Sequence, residues 1–92
     1  MNKQVASLMN EQINKELYSA YLYLDIANYY ADAGLNGFEN WFYVQAQEER
    51  DHAMLFRTYL LNNDEKITLT AVAEPGKVYD DYLAPLKLTL AH

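Results

Sequence analysis

The first apolar stripe of the chain has the spacing of one face of a long helix. Its positions follow one another at intervals of four and three residues: Ile13, Leu17, Ala20, Leu24, Ala27 and Ala31. Residues at these intervals share one helix face. The stripe therefore predicts a helix over about residues 4–33. Gly34 comes directly after it and suits the left-handed backbone conformation that often ends a helix.

A second stripe begins after a connection of about four residues. Its positions again alternate between intervals of four and three: Phe38, Phe42, Gln45, Glu49, His52, Phe56 and Tyr59. The spacing predicts a second helix over about residues 37–62. Two long helices joined by so short a connection pack antiparallel.

The chain changes character after the second helix. Residues 67–71 alternate between apolar and polar with a period of two, and Pro75-Gly76 marks a turn. A segment that is extended and then turns fits a connection that crosses from one end of a helix pair to the other. We therefore predict a crossover connection over about residues 63–80.

A third helical pattern closes the chain. Leucines at positions 83, 86 and 90 recur at helical spacing, and Asp80 or Asp81 is a candidate N-cap. They predict the start of a third helix over about residues 81–92. The predicted fold class is all-α: an antiparallel helix hairpin, a crossover and the start of a third helix, within one partial domain over residues 1–92.

Composition and charge exclude several classes of function. Hydrophobic residues make up 51% of the 92 residues and charged residues 22%, which excludes a disordered polar tail. The net charge of −6 argues against nucleic acid and anionic membrane surfaces as partners, since both attract basic patches. The chain has no cysteine, so a disulfide framework, a thiolate metal site and a cysteine nucleophile are excluded.

The sequence also predicts a location. Its longest apolar run extends from Leu17 to Leu24, well short of the roughly 20 residues that span a bilayer. The residues after Met1 lack the apolar stretch of a signal peptide. Because a small chain without cysteine fits a reducing compartment, we expect a cytoplasmic protein with no membrane partner.

Three consecutive positions of the second stripe are polar. Gln45, Glu49 and His52 lie between aromatic positions, where a helix built only for packing carries Leu or Ala. Burying an unpaired carboxylate is costly, and a bound cation would neutralise it and use the imidazole lone pair. Glu49 and His52 are three residues apart and can chelate one metal. By itself, this spacing is also typical of an ion pair or a buried histidine.

Glu16 on the first helix strengthens the metal hypothesis. At 1.5 Å per residue it lies about 25 Å before the end of its helix, and Glu49 and His52 lie about 18 and 22 Å into theirs. In an antiparallel pair these heights agree to within about one turn. A Glu that faces a Glu-x-x-His motif is a ligand grouping of dinuclear carboxylate proteins. Tyr23 shares the face of Glu16, where a structural and a redox role are both open.

Three segments of the chain resemble bacterial non-haem ferritins. Residues 10–23 (NEQINKELYSAYLY) are similar to the first helix of that family, and residues 45–53 (QAQEERDHA) to its second-helix motif. The connection at residues 34–38 (GLNGF) also fits. The resemblance covers nearly the whole chain. It implies a ferritin-like four-helix bundle with a long crossover between helices two and three, of which this chain holds half.

The resemblance also implies a function and a role for single residues. Members of the family build 24-subunit hollow shells, oxidise Fe(II) with O₂ or peroxide, and store the ferric mineral inside. By resemblance, Glu16, Glu49 and His52 are the catalytic iron ligands of a dinuclear ferroxidase centre, with Glu49 bridging two irons. Tyr23 matches the tyrosine beside that centre. Glu48 matches a residue that in some members contributes to a neighbouring third iron site. From its place on the helix alone, three roles are open to it: a solvated acid, an acid that supports the metal ligands, and an accessory metal ligand.

The chain is shorter than a subunit of that family, and three interpretations are open. In the first, it is the N-terminal half of an iron-storing ferroxidase, and the missing C-terminal half supplies the remaining ligands. In the second, two copies pair their apolar faces and complete a symmetric dinuclear site. In the third, the chain is an assembly module without catalysis.

Overall fold

Three helices and no strand make up the fold. The computed structural model describes residues 1–92 and contains α1 (Lys3–Asp32), α2 (Asn36–Asn62) and α3 (Ala84–Ala91). The fold class is all-α, as predicted. The molecule measures 46 × 20 × 19 Å, because α1 and α2 run side by side along its length. None of the three helices combines the length with the apolar character that crossing a bilayer requires.

A glycine closes the turn between α1 and α2. Gly34 has a φ of +75°, the left-handed conformation predicted for it. Its N–H donates to the carbonyl of Ala31 at 3.0 Å, and the N–H of Leu35 donates to the carbonyl of Tyr30 at 2.9 Å. This pair of hydrogen bonds is a Schellman motif, which satisfies the last carbonyls of a helix. The chain therefore reverses at once, and α2 begins at Asn36 and returns along α1.

The core between α1 and α2 consists of two clusters. One cluster lies towards the turn: Leu22, Ile26, Ala27, Tyr30 and Phe42. The other lies towards the opposite end: Ala6, Ile13, Ala53 and Leu60. Positions 16 of α1 and 49 of α2 fall between the two clusters along the helix pair. Polar side chains at this height therefore interrupt an otherwise apolar contact.

The buried face of each helix differs from the predicted stripe. On α2 the buried positions are Phe42, Ala46, Ala53 and Leu60. Phe38 and Tyr59, which the stripe also contained, are exposed, and so is Leu24 of the α1 stripe. The small alanines of α2 let the two helices approach closely. The helix contact therefore runs along Phe42 and the alanines and leaves Phe38 and Tyr59 on its flank.

Two asparagines of α1 hold the crossover connection, residues 63–83, which contains neither helix nor strand. The side-chain oxygen of Asn10 accepts from the N–H of Thr68 at 2.9 Å. The side-chain amide of Asn14 donates to Thr70 Oγ1 at 2.9 Å. Because these side chains satisfy polar groups of the crossover, the predicted extended segment needs no neighbouring strand.

The helix α3 begins at Ala84, a few residues later than the sequence pattern suggests. Asp81 Oδ1 accepts from the N–H groups of Leu83 and Ala84 at 3.0 and 2.9 Å, so it closes a turn that precedes the helix. Pro85 follows in the first helical turn, where its missing N–H leaves no helix hydrogen bond unmade. Leu86 and Leu88 of α3 then pack against the core cluster near the turn.

Asn14→Ala is expected to lower the free energy of unfolding by about 0.5–1.5 kcal/mol. The substitution removes the hydrogen bonds of Asn14 to Thr70 Oγ1 and to the carbonyl of Ala71, both at 2.9 Å. Urea denaturation measures the loss, and limited proteolysis shows whether cleavage moves to the crossover. Asn28→Ala is the matched control, because Asn28 is exposed on the same helix. An equal loss in both variants would contradict this role of Asn14.

Candidate metal centre

Glu16, Glu49 and His52 meet on one side of the helix pair. Glu16 lies on α1, whereas Glu49 and His52 lie about one turn apart on α2. The Nδ1 atom of His52 is 3.7 Å from Glu16 Oε2 and 3.7 Å from Glu49 Oε2. Ligand atoms of the three side chains all lie within 4.8 Å of one another. Antiparallel packing thus brings together side chains that are 33 or more positions apart in the sequence.

This three-residue group lies at the edge of the contact between α1 and α2. The side chains of Glu16 and Glu49 are 17% and 21% exposed, whereas that of His52 is 52% exposed. A groove of about 440 Å³ lies beside the group, and its other lining residues are mostly apolar: Met9, Leu55, Phe56 and Tyr59. Apolar surroundings strengthen the interaction between charged groups. The group therefore combines access from the groove with a partly desolvated pair of carboxylates.

The pKa values of the two carboxyl groups of the site shift in opposite directions. Burial, a hydrogen bond with Glu16 and the charge of Glu16 raise the pKa of Glu49 to about 7. Burial also acts to raise the pKa of Glu16, but hydrogen bonds with Glu49 and Gln12 and the nearby His52 lower it below the usual value. Two carboxylates at this separation do not both ionise freely, so the proton belongs to the pair. A cation at this position would replace the proton and relieve the repulsion.

Gln12 also contacts the group, although the sequence pattern assigned it no role. Its Nε2 atom donates a hydrogen bond to Glu16 Oε1 at 3.0 Å. The sequence contains one signal for this contact: Gln12 and Glu16 are four residues apart, a spacing at which side chains of one helix meet. That spacing is common in helices. It acquires meaning only when the structure shows that Glu16 faces Glu49 and His52.

Tyr23 lies next to the group and is packed between aromatic rings. Its ring centroid is 6.0 Å from that of Phe42 and 5.9 Å from that of His92, the latter in an edge-to-face arrangement. Burial raises the pKa of Tyr23, and the charges of Glu49 and Glu16 raise it further. The phenol is therefore neutral and lies within electrostatic reach of both carboxylates.

Glu48 lies apart from the three-residue group. It is exposed, and its carboxylate is not among the clustered ligand atoms. As the direct neighbour of Glu49 on a helix, it points about 100° away. Gln45, about one turn before Glu49, is half-buried. The structure thus separates Glu48 from the group, and a place in an accessory metal site stays a prediction for this residue.

The donor set of the group suits a divalent transition metal. Two carboxylates and one imidazole are ligands that Fe(II) accepts in proteins. Three protein ligands do not complete the coordination of such an ion, so further positions are open to another ligand or to a reactant. A Glu opposite a Glu-x-x-His motif on a helix pair is the ligand arrangement found in di-iron and di-manganese carboxylate bundles.

Comparison with known proteins identifies the family. The family model described as ferritin-like domain matches residues 6–92. The bacterial non-haem ferritin of Campylobacter jejuni is 36% identical over 92 residues, which are 100% of this chain and 55% of that protein. The ferritin-1 heavy chain of Schistosoma mansoni is 38% identical over 72 residues, which are 76% of this chain and 42% of that one. The chain belongs to the ferritin family.

Solved structures give the same result for the fold. An open-pore ferritin from the hyperthermophilic archaeon Archaeoglobus fulgidus superposes with a TM-score of 0.94 at 40% identity, over 100% of this chain and 57% of that one. A humanized archaeal ferritin superposes with a TM-score of 0.96 at 37% identity, over 100% and 56%. The chain thus spans about half the length of the relatives it matches. Its helices correspond to part of the ferritin fold.

Proposed function

We propose that this protein takes part in iron storage and that Fe(II) is oxidised at the group formed by Glu16, Glu49 and His52. The observation that carries the proposal is the convergence of these side chains within 4.8 Å in a member of the ferritin family. Iron is the substrate of this reaction, and O₂ or peroxide is the oxidant. Each Fe(II) gives up one electron, and the oxidant accepts the electrons of two irons.

The residues of the group have distinct proposed roles. Glu49 Oε2 lies 3.7 Å from His52 Nδ1 and within 4.8 Å of the ligand atom of Glu16, and Glu49 is the proposed bridging ligand between two irons. Glu16 and His52 are the proposed ligands of one of these irons, since Glu16 Oε2 is 3.7 Å from His52 Nδ1. Tyr23, which packs against the rings of Phe42 and His92, is the proposed tyrosine beside the iron centre. Glu48 is proposed as an accessory ligand only, because it faces away.

A second helix pair is proposed to complete the centre and the bundle. The hairpin leaves large apolar side chains exposed, among them Leu8, Trp41 and Leu55. Extended apolar surface of this kind marks an interface. We infer that further helices, from a longer chain or from a second copy, cover it and supply the remaining ligands. The proposed assembly is a 24-subunit shell that holds ferric mineral, and the absence of cysteine supports a cytoplasmic location.

His52→Ala is expected to lower the initial rate of Fe(II) oxidation at least about tenfold. The substitution removes the one nitrogen ligand of the group. Fe(II) is added to the protein without O₂, air is then admitted, and the rate is followed by absorbance beside a buffer blank. Asp51→Ala is the matched control, because Asp51 is the exposed neighbour of His52 and lies outside the group. Equal rates for wild type and His52→Ala would contradict the proposed function.

A further inference from the structure

We propose that Gln12 is a positioning residue for the metal centre: its amide holds Glu16 Oε1, so that Glu16 Oε2 is the oxygen presented to the metal. This inference rests on the proposed function. Gln12 Nε2 donates to Glu16 Oε1 at 3.0 Å, and the other oxygen of the same carboxylate is 3.7 Å from His52 Nδ1. The two oxygens of Glu16 therefore have different partners.

The surroundings of Gln12 favour a stable contact. Gln12 is half-buried beside the buried Ile13, and the hydrogen bond to Glu16 is partly buried as well. A hydrogen bond to an ionised carboxylate is stronger than one between neutral groups. The amide of Gln12 is uncharged, so it orients the carboxylate without neutralising it. Gln12 therefore adds no positive charge that would oppose a cation beside Glu16.

This contact has a consequence for how Glu16 binds. If both of its oxygens bound one metal, Glu16 Oε1 would have to hold the metal on one lone pair and the amide of Gln12 on the other, which restricts the direction from which a metal can approach Oε1. Holding Oε1 therefore disfavours chelation by both oxygens and favours binding through Oε2 alone. Outer-shell partners that orient a ligand in this way typically contribute 10–100-fold to metal affinity. A surface pair without this function contributes only a few tenths of a kcal/mol of helix stability.

Gln12→Leu and Gln12→Ala are expected to weaken Co(II) binding about tenfold. Leu keeps much of the side-chain volume, and Ala favours the helix, so a loss in both variants is attributable to the missing amide. Affinity is measured by calorimetric titration of the protein with Co(II), which needs no oxidation step. The visible spectrum of bound Co(II) provides a second readout. Its bands are expected to weaken in both variants, because Glu16 is then free to bind through two oxygens and raise the coordination number.

Gln47→Leu is the matched control for this experiment. Gln47 Nε2 contacts Tyr43 Oη four residues away on α2, at 3.4 Å, and belongs to no ligand cluster. Its Co(II) affinity and spectrum are expected to equal those of wild type. Wild-type affinity and spectrum in both Gln12 variants would overturn the positioning role while leaving the proposed function intact. Failure of the wild-type protein to bind Co(II) would overturn both, and binding without Fe(II) oxidation would overturn the proposed function alone.

Discussion

Glu49→Ala is expected to lower the initial rate of Fe(II) oxidation by about 100-fold or more. Glu49 is the proposed bridging ligand, and its Oε2 atom lies 3.7 Å from His52 Nδ1 and within 4.8 Å of the ligand atom of Glu16. Even partners that only orient a metal ligand contribute about 10–100-fold, so the loss of a ligand that bridges two irons should reach the upper end of that range. The substitution also leaves Glu16 without the carboxyl group that shares its proton.

Glu48→Ala is the control for this prediction. Glu48 has the same side chain at the adjacent position, but it is exposed and lies outside the group. Its initial rate is expected to stay within about twofold of wild type, with any change confined to slower steps. The measurement is the initial rate under O₂ for both variants, together with the number of Fe(II) ions bound per chain. Equal damage in both variants would show that the wrong one of the two neighbouring carboxylates has been assigned to the centre.

Phe42→Ala is expected to lower the free energy of unfolding by about 3–5 kcal/mol. Phe42 is fully buried in the core cluster near the turn. Its ring stacks on that of Tyr30 at 5.7 Å and lies 6.0 Å from that of Tyr23. The substitution therefore leaves a cavity and breaks aromatic pairs at once. Urea denaturation followed by circular dichroism measures the change, and the slope with urea shows whether unfolding remains two-state.

Phe38→Ala is the matched control for the core prediction. Phe38 lies one turn earlier on α2 and also stacks on Tyr30, at 5.1 Å, but its side chain is 45% exposed. The expected loss is about 1 kcal/mol, since less apolar surface leaves water on folding there. Similar losses in the two variants would mean that Phe42 is not the anchor of this cluster. If a further helix packs on Phe38 in a larger assembly, Phe38→Ala will lower the free energy of unfolding by more than this. Unfolding that depends on protein concentration would reveal such an assembly.

Local pattern was sufficient for the main elements of the fold. The two stripes predicted the two long helices, and Gly34 predicted the end of α1, because helical spacing and left-handed glycine are properties of neighbouring residues. The expected convergence of Glu16, Glu49 and His52 followed from helix rise and an antiparallel turn, and the structure brings the three side chains together. Helix geometry also predicted that Glu48 points away from the face of Glu49, because neighbouring residues of a helix differ in direction by about 100°.

The sequence pattern could not predict how side chains of distant segments pack. On α2, the predicted stripe and the set of buried positions both have helical spacing. Only the close approach of α1 decides that Ala46 and Ala53 lie in the contact. The role of Gln12 depends in the same way on the direction in which Glu16 points. The hydrogen bond that Asn14 donates to Thr70 Oγ1 joins residues 56 positions apart in the sequence.

The sequence by itself determined that this protein is a helix hairpin with a Glu and a Glu-x-x-His motif at one height, because rise per residue and face are set locally. Tertiary structure alone decided the rest. It decided which helix face is buried, that one carboxylate oxygen of Glu16 is held by Gln12, and that burial and the neighbouring Glu16 raise the pKa of Glu49 to about 7. The physical reason is that burial, hydrogen bonding and electrostatic coupling depend on distances between segments, and packing determines those distances.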